Sequence, residues 1–194
     1  MTSYDKELAT KLMDKNHDGK CDICGMSAEM CISSGQLQCN MGSQKTTMGI
    51  LGSQHIHADW RIYINGIKLD LSDKSHMDRM KKNMSVSSFI HVDSGSPQPE
   101  KTGDVLHMHA TGIPLWVFFD SIEMKFNKTC IMLDNTDSFC SDNKSVPKFY
   151  VNRKLNNEYE NYIFKDLDKI LISYSNETNL NQQLNSITDF AKNH

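Results

Sequence analysis

The stretch His55–Leu71, HIHADWRIYINGIKLDL, restricts the fold of this chain more than any other. Ile56, Ala58, Trp60, Ile62 and Ile64 alternate with His55, His57, Asp59, Arg61 and Tyr63. A period of two puts the first set on one side of a strand and the second on the other; a helix would scatter both sets around its circumference. Asn65-Gly66 then separates two alternating runs. Both residues tolerate left-handed backbone, so the pair predicts a tight type I′ hairpin.

The same reasoning extends along the chain. VSSFIHVD and DVLHMHA predict two more strands, and GIPLWVFFDSIEM predicts a helix with Pro114 in its first turn. TCIMLD, KFYVNRKLNNEY and DLDKILISYS read as strands, the second echoing the first hairpin. NLNQQLNSITDFAKNH predicts a closing helix with Leu180, Leu184, Ile187 and Ala191 on one face. Residues 1–50 differ: a short helical run, YDKELATKLM, leads into a Cys- and Met-rich stretch. The expected division is 1–50 as a small metal-loop segment and 51–194 as the main domain.

The order hairpin, strand, helix, strand and last strand resembles a β-grasp (ubiquitin-like) fold. The expected class is therefore α+β, a mixed sheet with one packed helix and a C-terminal helix. The alternative is a small antiparallel β-barrel or sandwich. The final YVN…KDLDKILISY resembles the end of sulfur-carrier proteins of the β-grasp fold, but without their Gly-Gly.

Two His-x-His pairs stand in a chain of eight histidines. Residues i and i+2 of a strand share a face, so His55 and His57 can reach one ion from the same side. Leu106, Met108 and Ala110 claim the apolar face of the other strand, which leaves His107 and His109 opposite it. If those strands are neighbours, four imidazoles converge, with Asp59 as a possible carboxylate ligand and His91 as a possible fifth imidazole. A nitrogen-rich set of this kind suits copper or zinc. The alternative is ordinary hydrogen-bonded surface histidine.

DKNHDGKCD places Asp14, Asn16, Asp18, Lys20 and Asp22 at positions 1, 3, 5, 7 and 9 of an EF-hand-like loop, with Gly19 at the turn. Lys20 would offer only its carbonyl. Position 12 is Gly25 instead of the bidentate glutamate, so calcium is expected only if fewer ligands suffice. Cys21-x-x-Cys24, with Cys31 and Cys39, suits two disulfides, a thiolate metal site or redox-active thiols. Cys130 and Cys140 flank turn residues and predict a local disulfide.

With net charge -3 and a pI near 6.2, the chain has no basic bias towards nucleic acid. The N-terminal residues lack the pattern of a secretory signal, which leaves a cytoplasmic chain or one whose signal or anchor is missing from the sequence.

DKNHDGKCDICGM, GSQHIHADWRIYINGIKLDLS, DVLHMHATGIPLWVFFDSI and DLDKILISY together resemble a family of uncharacterised proteins from ammonia-oxidising archaea. The resemblance runs from about Asp14 to near the end. It implies an exported or membrane-anchored, extracytoplasmic protein, and it favours copper, with a membrane-bound copper enzyme as partner. Two positions depart from the family: Arg153 where a glycine suits the second turn, and Ser175 where glycine is usual. The expected function is metal storage or delivery. The alternatives are a thiol-disulfide oxidoreductase or isomerase using Cys21 and Cys24, and a non-catalytic surface module stiffened by calcium and disulfides. Whether there is turnover stays open.

Overall fold

The computed structural model describes residue 10 and residues 14–22, 25, 27–29, 40–41, 44–45, 52–82, 84, 87, 89–93, 103–133 and 137–194. The predicted helix near residues 4–13 lies outside them, apart from residue 10. Strands β1 (Asn40–Met41) and β2 (Gln44–Lys45) form a short separate pair. Then come β3 (Ile56–Ile64), β4 (Ile67–Lys68), helix α1 (His76–Lys81), β5 (Ile90–Asp93), β6 (Val105–Met108) and helix α2 (Leu115–Ser121). The chain continues through β7 (Lys125–Phe126), β8 (Cys130–Leu133), β9 (Asp137–Cys140), β10 (Val146–Val151), β11 (Lys154–Leu155), β12 (Lys169–Ser175) and helix α3 (Asn181–Asn185).

The main sheet has the order β11-β10-β12-β3-β6-β5, with β4 also paired to β3. Its pairs are antiparallel except β12 with β3, which run parallel. The architecture is therefore α+β with a mixed, open sheet. The parallel pair and the two free ends of the strand order exclude the closed antiparallel barrel that the sequence left open.

The alternation in β3 is realised. Ile56, Ala58, Trp60, Ile62 and Ile64 join the main core with Ile90, Val92, Leu106, Met108, Ile170 and Ile172 from neighbouring strands. Helix α2 covers this face with Leu115, Val117, Phe118 and Phe119, and the small sheet β7-β8-β9 adds Phe126 and Ile131. Trp60 meets Phe118 edge-on at 5.2 Å and donates its indole N–H to the Gly103 carbonyl at 2.8 Å. Burial of each such large side chain stabilises by roughly 1.5–3 kcal/mol. Gly103 is required there: a Cβ would lie 2.6 Å from the Leu71 carbonyl oxygen.

Both predicted hairpins close in left-handed backbone, Asn65-Gly66 at φ 50° and 81° and Asn152-Arg153 at φ 49° and 67°. Arg153 thus holds a conformation that glycine adopts more cheaply. Cys130 and Cys140 lie directly opposite each other in β8 and β9 and form a disulfide.

The predicted C-terminal helix is broken. It stops after α3, and the chain resumes as a 3-10 turn over Phe190–Asn193. The cause is a competing acceptor: the Asp59 carboxylate takes the Thr188 hydroxyl at 2.7 Å and the Phe190 amide at 2.8 Å. This tail lies on the second face of the sheet, where Leu180 and Ile187 pack with Leu171, Tyr63 and Tyr150. Among the described residues no helix is long and apolar enough to cross a membrane.

Candidate metal centre

Register builds the site. In the antiparallel pair β3–β6, His57 stands opposite His107; in β5–β6, His91 also stands opposite His107. Three imidazoles therefore lie abreast across three strands, on the face turned away from the main core. His55 and His109 extend the row just beyond the strand ends. The His109 amide is held by the Phe89 carbonyl at 2.8 Å, and the His109 carbonyl accepts from Gly52 at 2.7 Å.

Two further histidines arrive from elsewhere. His76, the first residue of α1, has its ring 4.4 Å from that of His91. His194, on the tail, stacks on His57 at 5.4 Å and meets His107 edge-on at 4.4 Å. His55 stacks on His109 at 4.8 Å, and His91 stacks on both His109 at 4.9 Å and His107 at 5.2 Å. Seven of the eight histidines are gathered into one continuous patch. His17 is the exception, on the N-terminal loop.

Within the patch, two sets have ligand atoms that all lie within 4.8 Å of one another: His55, His57 and His107, and His91, His107 and His109. The Nε2 atoms of His55 and His57 are 3.2 Å apart. A tetrahedral ion with bonds of about 2.0–2.1 Å separates its ligand nitrogens by roughly 3.3–3.4 Å. That pair thus already has the spacing of two ligands on one ion.

Burial sets the protonation. His107 is 6% exposed, and desolvation, followed by the neighbouring His91, pushes its pKa down to about 2. His109 falls to about 4 for the same leading causes. His57 and His76 are also lowered, first by desolvation. Neutral imidazoles result, each with a lone pair, which is the form that binds metal. Nδ1 of His91 and Nε2 of His107 are buried and have no hydrogen-bond partner. Such nitrogens cost about 1–3 kcal/mol each unless something outside the chain's own groups satisfies them.

The carboxylates divide. Asp93 faces the patch, its Oδ2 3.6 Å from His91 Nε2 and 3.9 Å from His107 Nε2. Asp59 stands on the histidine side of β3, but its oxygens are taken by the tail, so the structure places it as an anchor. Sequence reasoning grouped Asp59 with the histidines because face alternation is local and the tail's return is not. It missed His76 and His194, and it took Asp93 as an available acid or base and not as a neighbour of the histidine rings. The first two belong to no period-two pattern, and Asp93 was legible only as the residue two beyond His91.

The EF-hand-like loop is folded on itself. Asp14 accepts from the Asp18 and Gly19 amides at 2.9 and 2.7 Å, Asp18 accepts from the Lys20 amide at 2.8 Å, and Asp22 accepts from the Lys15 amide at 2.9 Å. Asn16 caps the Asp18 amide at 3.1 Å, and Lys20 bridges to Ser27. Cys21 is buried, while Cys24, Cys31 and Cys39 lie outside the described residues, as does their pairing.

Compared with models of known protein families, with curated proteins and with solved structures, the chain matches none.

Proposed function

We propose that this chain is a metal-binding protein whose histidine face holds a first-row transition ion, copper or zinc, for storage or delivery. The single observation that carries the reading is the row His57–His107–His91 across three strands, flanked by His55 and His109, with buried nitrogens on His91 and His107 that have no hydrogen-bond partner among the described residues. A patch of hydrogen-bonded surface histidines would not bury unpartnered nitrogens, since each loses its water without compensation. The donor set is nitrogen with one nearby carboxylate, which suits copper or zinc better than calcium or magnesium.

The strand order β4-β3-β12-β10-β11, with a parallel central pair and α2 packed on one face, is the order of a β-grasp sheet. It supports that fold for the main domain, with β5 and β6 added beside β3 to carry His91 and His107 and to lead into His109. Residues 1–50 are proposed as an appendage packed on this domain through Cys21 and Lys15, its loop a weak calcium site.

The Cys130–Cys140 disulfide favours an oxidising, extracytoplasmic compartment. Within the proposed kinship to proteins of ammonia-oxidising archaea, a membrane-bound copper enzyme would be the recipient.

The test is elemental analysis of chain purified without a histidine tag, compared with the His107→Ala/His109→Ala variant. Copper or zinc in a fixed ratio to protein, lost in the variant, is the expected result. Metal that ignores the double substitution would overturn the histidine reading.

A further inference from the structure

We propose that the patch takes two ions per chain, one on each side of His107. The proposal rests on the metal reading above and specifies how that centre is built. Strand β6 is the middle one of three, so His107 has His57 on one side and His91 on the other. The two converging sets share only His107, whose neutral ring has one lone pair and serves one ion at a time; His55 and His57 belong to one set, His91 and His109 to the other, and the outlying imidazole on each side can supply the missing nitrogen.

A single tetrahedral ion uses four nitrogens, and seven imidazoles are present. Their layout divides them. His194 packs against His57 and His107, on the β3 side. His76 packs against His91, on the β5 side. Each three-histidine set therefore has its own outlying imidazole, and a single ion with bonds near 2 Å reaches one set but not both outliers. His91 and His107, each with a buried, unpartnered ring nitrogen, both belong to the set on the β5 side, and His107 borders the other as well.

The two positions are not equivalent. Asp93 stands beside the rings of His91 and His107 and gives the β5 side a carboxylate, whereas on the β3 side Asp166 accepts the His57 backbone amide at 3.1 Å. A divalent ion is better neutralised beside Asp93, so that position fills first. The position towards His194 fills second and gives up its ion more readily.

Zn(II) is the probe. Metal-free chain is saturated with it, and bound ions are counted by native mass spectrometry for the wild type, His55→Gln/His57→Gln, His76→Gln/His109→Gln and the fourfold variant. None of these four side chains is fully buried. Losses are taken relative to wild type, so zinc held by cysteines cancels. Each double variant is expected to lose one ion and the fourfold variant two. A fourfold variant that loses only one, or a double variant that loses both, overturns the two-ion centre. A fourfold variant that loses none overturns the metal reading itself. A second readout needs no substitution: the electron paramagnetic resonance of Cu(II)-saturated wild type. Two neighbouring ions give a dipole-coupled pair spectrum with a half-field transition; a full-intensity spectrum of isolated ions overturns the proposal.

Discussion

One strand face carries two kinds of polar residue. Along β3, Asp59, Arg61 and Tyr63 occupy one half of the face turned from the core, and His55 and His57 occupy the other. In the first half every side chain reaches a protein partner, although Nε of Arg61 stays buried without a hydrogen-bond partner. Asp59 holds the tail, Arg61 pairs with Asp104, and Tyr63 shares a 2.8 Å hydrogen bond with Ser186. In the second half His55 and His57 meet mainly one another and His107, and across the sheet the row leads to buried nitrogens on His107 and His91 that have no partner among the described residues. The half tied to Asp104, Ser186 and the tail anchors the fold. The histidine half leads into two sets of nitrogens that could hold a metal ion.

This contrast can be broken most severely at Asp104. It is buried, and Asp104→Ala would leave the Arg61 guanidinium uncompensated, which costs about 3–5 kcal/mol. A thermal midpoint lowered by roughly 6–20 °C checks it, at about 2–4 °C per kcal/mol for a chain of this length. Asp59→Ala removes the acceptor of one hydroxyl and two amides and is expected to cost about 2–4 kcal/mol, with protease cleavage now appearing in residues 186–194. An unchanged midpoint in either variant would erase the distinction between the two halves.

The histidine half responds to pH instead. In the patch the folded-state pKa values of His57, His76, His107 and His109 lie below the unfolded value near 6.5, at about 2 for His107 and about 4 for His109. Below about pH 6.5 the unfolded chain binds protons that the folded chain refuses. Stability of the metal-free protein is therefore full above that pH and declines as pH falls, with His107 contributing about 1.4 kcal/mol per pH unit. Denaturant midpoints measured from pH 7 to 5 should show this slope in the wild type and a shallower one in His107→Phe. The same substitution gives the smallest expected effect at pH 7: the metal-free chain is unchanged or gains about 1 kcal/mol, because an unsatisfied buried nitrogen is removed. A loss of several kcal/mol would place His107 with the structural half.

What the sequence made legible was local. Face alternation assigned Ile56 through Ile64 to the core and put both His-x-His pairs on the other side, and Asn65-Gly66 announced its turn. Arg153 was noticed as a departure and does sit at φ 67°, where its contact with Asn185 at 2.8 Å partly offsets the conformational cost. What was not legible depends on pairing between distant segments. Nothing in β12 alone says that it inserts beside β3, and nothing near His107 says that it faces His57 and His91 at once. The helical spacing of Leu180, Leu184, Ile187 and Ala191 was real, yet Asp59, more than a hundred residues away, captures the amides that would have continued the helix.

The central claim is that imidazoles, not thiolates, hold the metal. X-ray absorption at the edge of whichever metal co-purifies with the chain tests this directly. The account predicts a shell of nitrogen scatterers at about 2.0–2.1 Å, with the outer-shell scattering of imidazole rings and no sulfur. A sulfur shell at about 2.3 Å would place the metal on the cysteines of residues 21–39 and contradict it.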